Sequence, residues 1–234
     1  VFVGQNRPIR SLITRARTRM SLQGLAWRAS VLRSLEKNKS LADARYFQLA
    51  TIGRDGFPAN RTVVYRGFLG ESTDVTFVTD SRSKKIDEIA TSPNAEVCWY
   101  FPKTREQYRL RGTLRVVSAA DEEATMQRAR VESWNRMSEG GRSQFAWPHP
   151  GLPRLPEEEH LYEKAAPGVA AELLKDGSPL EPFCLVILHV LAVDHLLLRE
   201  NRRYAYTRLE AEAAAAATAE APQLEPWVRL ETNP

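Results

Sequence analysis

The stretch from residue 59 to residue 85, ANRTVVYRGFLGESTDVTFVTDSRSKK, constrains this chain most, because two β-forming runs in it lead into basic and hydroxyl-bearing residues. Arg61-Thr62-Val63-Val64-Tyr65 is β-branched and aromatic, and so is Val75-Thr76-Phe77-Val78-Thr79. The turn residues Gly70-Glu71-Ser72-Thr73-Asp74 between them predict an antiparallel hairpin of these two strands. Behind the second run, Asp80, Ser81 or Ser83 can cap a short helix that runs toward Ile89. Lys84 and Lys85 then fall in the first helical turn, where cations oppose the positive end of the helix dipole. An anion seated there removes the conflict, which makes Arg61, Lys84 and Lys85 candidate phosphate ligands. The plain alternative is three solvated surface charges, and spacing alone does not choose between the two.

The rest of the chain reads as mainly β with flanking helices. With 43% hydrophobic and 26% charged residues in 234, it can bury a substantial core. Residues 27–38 predict a helix whose inner face is Trp27, Val31, Leu32 and Leu35. Residues 46–52 predict a strand that turns at Asp55-Gly56 into the Arg61 strand. Further strands are expected at 95–101, 107–117 and 183–193, and the strands together predict a small antiparallel barrel. A helix is expected over 121–137, capped by Ser118 or Asp121. Residues 140–182 hold half of the 14 prolines and predict a loop-rich covering segment with one helix around 156–174. The Ala-rich run 210–222 reads as a surface insertion.

Residues 1–24 are Arg-rich and contain no acid, the composition of an organellar transit segment. A basic arm for RNA or a membrane surface is the competing reading, and the lack of interleaved aromatics speaks against it. The longest apolar run, residues 184–193, is interrupted by His189 and is too short to span a bilayer, so neither a membrane nor a nucleic acid is the expected partner. Cys98 and Cys184 sit in apolar runs with no CxxC and read as buried thiols of a reducing compartment. His149, His160, His189 and His195 lack ligand spacing, and His189 reads as a core residue; no metal site is expected. With no GxSxG and no phosphate loop of the Walker type, any catalysis must be carried by a cofactor.

Four motifs in order resemble one family: Asn60-Arg61-Thr62-Val63-Val64-Tyr65-Arg66-Gly67-Phe68; Phe77-Val78-Thr79-Asp80 with Ser83-Lys84-Lys85; Cys98-Trp99-Tyr100-Phe101; and Arg105-Glu106-Gln107-Tyr108-Arg109. They are similar to the pyridoxamine 5′-phosphate oxidase-like proteins, FMN-binding split β-barrels, in the branch found in plants and cyanobacteria. The resemblance covers about residues 25–118 and returns weakly at the C-terminus. It implies that Arg61, Lys84 and Lys85 hold the FMN phosphate with Thr79 and Ser83 as hydroxyl donors, that the backbone of Thr62, Val63 and Val64 bonds the flavin pyrimidine, and that Gln107 donates to the ring. It further implies a homodimer with the flavin between subunits, and Arg66, Ser143 and Arg202 as contacts to a small phosphorylated substrate. The implied reaction oxidises pyridoxamine or pyridoxine 5′-phosphate to pyridoxal 5′-phosphate with O2 and releases H2O2, in the cytoplasm or in an organelle such as the plastid. The chain departs from the standard oxidase where Arg66 replaces a lysine, Glu139 stands near an expected arginine, Pro148-His149-Pro150-Gly151 replaces a flavin contact, and Leu196 replaces a tryptophan. An NAD(P)H-dependent flavin reductase, and a non-catalytic carrier of flavin, vitamin B6 or haem, are therefore the alternatives.

Overall fold

The computed structural model describes residues 26–162, 177–209 and 227–234. The expected extension 1–24 and the Ala-rich run 210–222 lie outside them. The described chain runs α1 (26–38), β1 (Tyr46–Ile52), β2 (Pro58–Val64), β3 (Gly67–Phe68), β4 (Val75–Asp80), α2 (Lys84–Thr91), β5 (Asn94–Phe101), β6 (Glu106–Val117), α3 (Ala124–Asn135), α4 (Glu139–Arg142), β7 (Phe183–Leu197), β8 (Arg202–Arg208) and β9 (Trp227–Thr232). The strands are ordered β2-β1-β5-β6-β7-β4-β3, with β8 between β7 and β9. The chain divides into two compact units, one of Arg45–Val97 and Gly112–His189, the other of Val1–Ala44, Cys98–Arg111 and Val190–Pro234. None of the described helices is long and apolar enough to cross a membrane.

In the first unit the expected pairing of 61–65 with 75–79 is not formed. β2 pairs with β1, Arg61 opposite Leu49, through the tight turn in which Gly56 takes φ +81°. β4 pairs instead with β7, Thr79 opposite Cys184. The physical reason is burial: four of the six residues of β4 are buried, and so are all of 183–188, so each covers the other's apolar faces. Only the two residues of β3 make a local hairpin with Val75 and Thr76. Gly67 opens it at φ +132°, beyond the end of β2, and the Arg66 amide before it donates to the Thr76 carbonyl at 2.8 Å.

α2 begins after Ser83, whose hydroxyl does not cap the helix but bonds to the Asp80 carbonyl at 2.8 Å. α3 starts at Ala124 rather than Asp121, because Asp121 accepts from the Glu123 amide and Gln127 ties down the carbonyls of Ser118 and Asp121. Trp134 of α3 packs with Met137, Phe145 and Phe183, and the buried Arg130 donates to the carbonyls of Phe183 (2.9 Å) and Leu180 (3.1 Å). Residues 156–162 begin the helix expected over 156–174 as a 3-10 turn, and 163–176 lie outside the described residues. His189 is not a core residue: its side chain is 45% exposed and faces Asp74 at 3.2 Å. Cys98 is half-buried and Cys184 buried, both as free thiols, and burial raises the Cys184 thiol to about 11.

In the second unit α1 buries Trp27 and Val31 as expected, but its inner face is turned away from Leu32. Trp27, Val31, Ser34 and Asn38 are inside, whereas Leu32 is 46% exposed. The polar members are satisfied: Asn38 accepts from the Lys103 amide (2.9 Å), and Ser34 bonds the Tyr108 hydroxyl (3.1 Å). Tyr108 then donates to Glu106 (2.9 Å), and His195 lies stacked on Tyr108 with its Nε2 at 2.8 Å from the same carboxylate. An ionised carboxylate only accepts, so Nε2–H is the donor. Burial pushes the Glu106 carboxyl up, but the hydrogen bonds from His195 and Tyr108 outweigh it and hold it at about 2. β6 thus keeps Glu106 and Tyr108 on one face and Gln107 on the other.

A carboxyl depressed by folding contributes stability that is complete above its unfolded value, about 4.3, and is lost as the pH falls toward its folded value. Urea midpoints of the wild type should therefore fall steeply between about pH 5 and pH 2, and Glu106→Gln should flatten that limb. Equal slopes in the two proteins would show that the carboxylate is not held as described.

Candidate functional site

Within the first unit, residues of β2 and of β4, far apart in the strand order, line one cavity of about 850 Å³, a size usual for small-molecule sites. β2 contributes Arg61, Thr62, Val63 and Val64; β4 contributes Val78, Thr79 and Asp80; α2 contributes Lys85. Tyr46 and Arg66 lie on the same wall, and Phe145, Trp147, His149, Arg154 and Tyr162 of the covering segment complete it. β2 is terminal in the strand order, so the backbone of Thr62 to Val64 has one edge without a strand neighbour among the described residues.

One end of the cavity is basic. Lys85 donates to the hydroxyls of Thr79 and Ser83, both at 2.9 Å, and these hydroxyls are 3.1 Å apart. Burial, and then the charge of Arg61, lowers the Lys85 ammonium from its ordinary value. Arg61 is held by Thr51 and by the Glu88 carboxylate at 2.5 Å, which also accepts from Thr51 at 2.6 Å. Burial would raise Glu88, yet the bonds from Thr51 and Arg61 keep it below its usual range. Two half-buried cations with rotatable hydroxyls beside them suit an oxyanion with several acceptor atoms. The residues present therefore fit the phosphate of a mononucleotide.

Arg66 is a second cationic group on the cavity. Its Nε is buried without a hydrogen-bond partner, and burial together with the charge of Arg45 lowers the guanidinium. A donor left unpaired in this way costs free energy until a ligand accepts from it. On the covering segment Arg154 stacks 4.1 Å over Tyr162 and is held by Glu159 at 2.7 and 2.6 Å.

The structure thus brings together Arg61, Thr62, Val63, Val64, Arg66, Thr79 and Lys85, with Ser83 attached through Lys85. Lys84 is exposed and does not line the cavity, because one helical step turns it away from Lys85. Ser143 bonds to the Gly140 carbonyl of its own turn (3.1 Å) and is not a lining residue. Gln107 and Arg202 belong to the second unit, where Arg202 is paired with Glu231 at 2.9 and 3.0 Å and lies over the Tyr204 ring. Sequence reasoning missed Tyr46, Glu88, Arg154 and Tyr162. Glu88 carried the one readable signal, an acid three residues after Lys85 on the same face of α2. The described residues contain no cluster of His, Cys, Asp and Glu able to hold a metal ion.

Comparison with known proteins agrees with this geometry. Residues 25–118 match the family model described as pyridoxamine 5′-phosphate oxidase, FMN-binding domain. The chain is 35% identical over 183 residues to pyridoxine/pyridoxamine 5′-phosphate oxidase 2 of Arabidopsis thaliana, a match covering 78% of this chain and 88% of that one. A crystal structure of a pyridoxamine 5′-phosphate oxidase-related, FMN-binding protein from Nostoc punctiforme superposes with a TM-score of 0.75 at 39% identity, covering 89% of this chain and 97% of the other. PhzG from Burkholderia lata, at 19% identity, shares the fold with a TM-score of 0.64 over 90% and 92% of the two chains. The likenesses to a plant and a cyanobacterial protein accord with the branch that the motifs resemble. By its motifs, its strand order and its relatives, the chain belongs to the pyridoxamine 5′-phosphate oxidase family of FMN-binding split barrels.

Proposed function

We propose that the protein is an FMN-dependent oxidase that converts pyridoxamine or pyridoxine 5′-phosphate to pyridoxal 5′-phosphate, consuming O2 and releasing H2O2. The observation that carries this reading is the second cationic group: Arg66, with its unpaired Nε, shares a cavity with the phosphate-type cluster at Arg61 and Lys85, so a cofactor phosphate and a substrate phosphate each have a partner. The name of the Arabidopsis relative supports the same substrates. When bound, FMN supplies the redox chemistry, accepting hydride from the substrate and passing the electrons to O2.

The protein's own groups bind and orient. Arg61, Lys85, Thr79 and Ser83 grip the cofactor phosphate, and the free edge of β2 at Thr62, Val63 and Val64 hydrogen-bonds the flavin pyrimidine. Gln107 is assigned the ring contact, Arg66 the substrate phosphate, and Ser143 and Arg202 the remaining substrate contacts, each after breaking its present bond to Gly140 or Glu231. Lys84 contributes long-range charge only. Trp147 and Tyr162, 6.0 Å apart, form an aromatic wall that excludes water. No side chain is assigned a proton transfer. A homodimer completes the site, in the cytoplasm or a plastid. A second reading, reduction of another small molecule by NAD(P)H through the same flavin, is favoured by the engagement of Ser143 and Arg202 elsewhere.

The FMN-loaded protein incubated with pyridoxamine 5′-phosphate in air should form pyridoxal 5′-phosphate and H2O2 in equal amounts. Formation of neither, with bleaching of the flavin by NAD(P)H, would decide for the second reading. Arg61→Ala should weaken FMN binding tens- to about a hundredfold, roughly 2 to 3 kcal/mol, in a titration of the apoprotein. Lys84→Ala should change it less than about threefold, as expected for an exposed charge. Equal losses in both variants would place the phosphate at the helix start instead.

A further inference from the structure

The turn that carries the phosphate cluster is tied to the covering segment by one side chain that the function above does not use. The Asp80 carboxylate accepts the Arg82 amide (2.8 Å), its Nε (2.9 Å) and its Nη2 (2.6 Å), which fixes the guanidinium in the plane of the carboxylate. Nη2 also donates to the carbonyls of Trp147 (3.1 Å) and, at the longer reach of 3.5 Å, Phe145. The two carbonyls are not equally anchored otherwise. Phe145 is held by packing against Trp134 and Phe183, whereas Trp147 is half-buried on the cavity wall.

We propose that Arg82 is a positioning residue that couples occupancy of the Thr79–Ser83–Lys85 turn to the order of the Trp147 wall, and thereby to substrate binding. An anion held by Thr79, Ser83 and Lys85 rigidifies the turn on which Arg82 stands, and the guanidinium transmits that rigidity to the Trp147 carbonyl. By linkage, an ordered wall tightens cofactor binding by the same factor. The fork matters more than the charge, since lysine pairs with Asp80 but cannot reach the carboxylate and a carbonyl in one fixed plane. The substrate part of the inference rests on the oxidase reading, and the coupling part rests on FMN alone.

Both parts are tested on Arg82→Gln and Arg82→Lys in the full-length protein. Hydrogen–deuterium exchange of the peptide spanning 145–152 should slow when FMN is added to the wild type, and this protection should be lost in both variants. Steady-state turnover of pyridoxamine 5′-phosphate should show KM raised about tenfold and the FMN affinity lowered by a comparable factor, with kcat within about threefold of wild type. Wild-type protection in Arg82→Lys would overturn the fork. Protection of 145–152 that does not depend on FMN, or an FMN affinity left at the wild-type value while KM rises, would overturn the coupling. Should the wild type not turn over the substrate at all, the oxidase reading fails while the exchange experiment still decides the coupling.

Discussion

Arg61 and Lys85 repel each other across a half-buried wall, and the neighbouring groups exist in an arrangement that tolerates this. Glu88 compensates Arg61 directly and lies one turn from Lys85 on α2, while Thr51, Thr79 and Ser83 replace the water that both cations have lost. The lowered Lys85 ammonium records the residual cost, with burial as its main cause. A phosphate dianion reverses that balance, because it converts the repulsion into two charge-assisted attachments. Cofactor binding and local stability are therefore linked, as in any site that is left under-neutralised without its ligand.

The sheet supplies the geometry for this wall. β2 ends the strand order on one side and β4 stands next to last on the other, yet both line the cavity, so the site requires the pairing of β4 with β7 and of β2 with β1. The pairing of β4 with β7 is governed by burial rather than by chain proximity, whereas β2 meets β1 through the tight turn at Gly56. β7 can satisfy β4 because its residues 183–188 are apolar without interruption, and a polar residue there would expose one face of β4 to an unfilled gap. Arg130 reinforces the same strand by donating to the Phe183 carbonyl.

The buried Glu106–Tyr108–His195 cluster has a different function in the other unit. It fixes two alternate residues of β6 inward and so decides the face on which Gln107 is presented. A strand with only apolar inward residues could slip by one register position; one with a three-membered hydrogen-bonded set cannot do so without burying unpaired groups. The histidine that matters to the fold is thus His195, and the His189 that sits in the more apolar run is half-exposed beside Asp74.

Much of this was legible in the amino-acid order. The strands at 46–52 and 95–101 and the short helix after Ser83 follow from local propensity, Arg61 and Lys85 from their place beside that helix start, and the cofactor class and Thr79 from the family that the motifs resemble. The partnership of β4 with β7, the polar residues on the inner face of α1 and the separation of Lys84 from Lys85 were decided only by tertiary structure, whereas the β1–β2 hairpin was legible in its Asp55-Gly56 turn. Ser34 and Asn38 were not among the residues expected on the inner face, and are inward because Tyr108 and Lys103 satisfy them across long sequence separations. Glu88, Arg154 and Tyr162 join the site for the same reason. Local sequence sets which backbone conformation is cheap, but which groups share a cavity depends on the burial of β4 against β7, a pairing between segments a hundred residues apart.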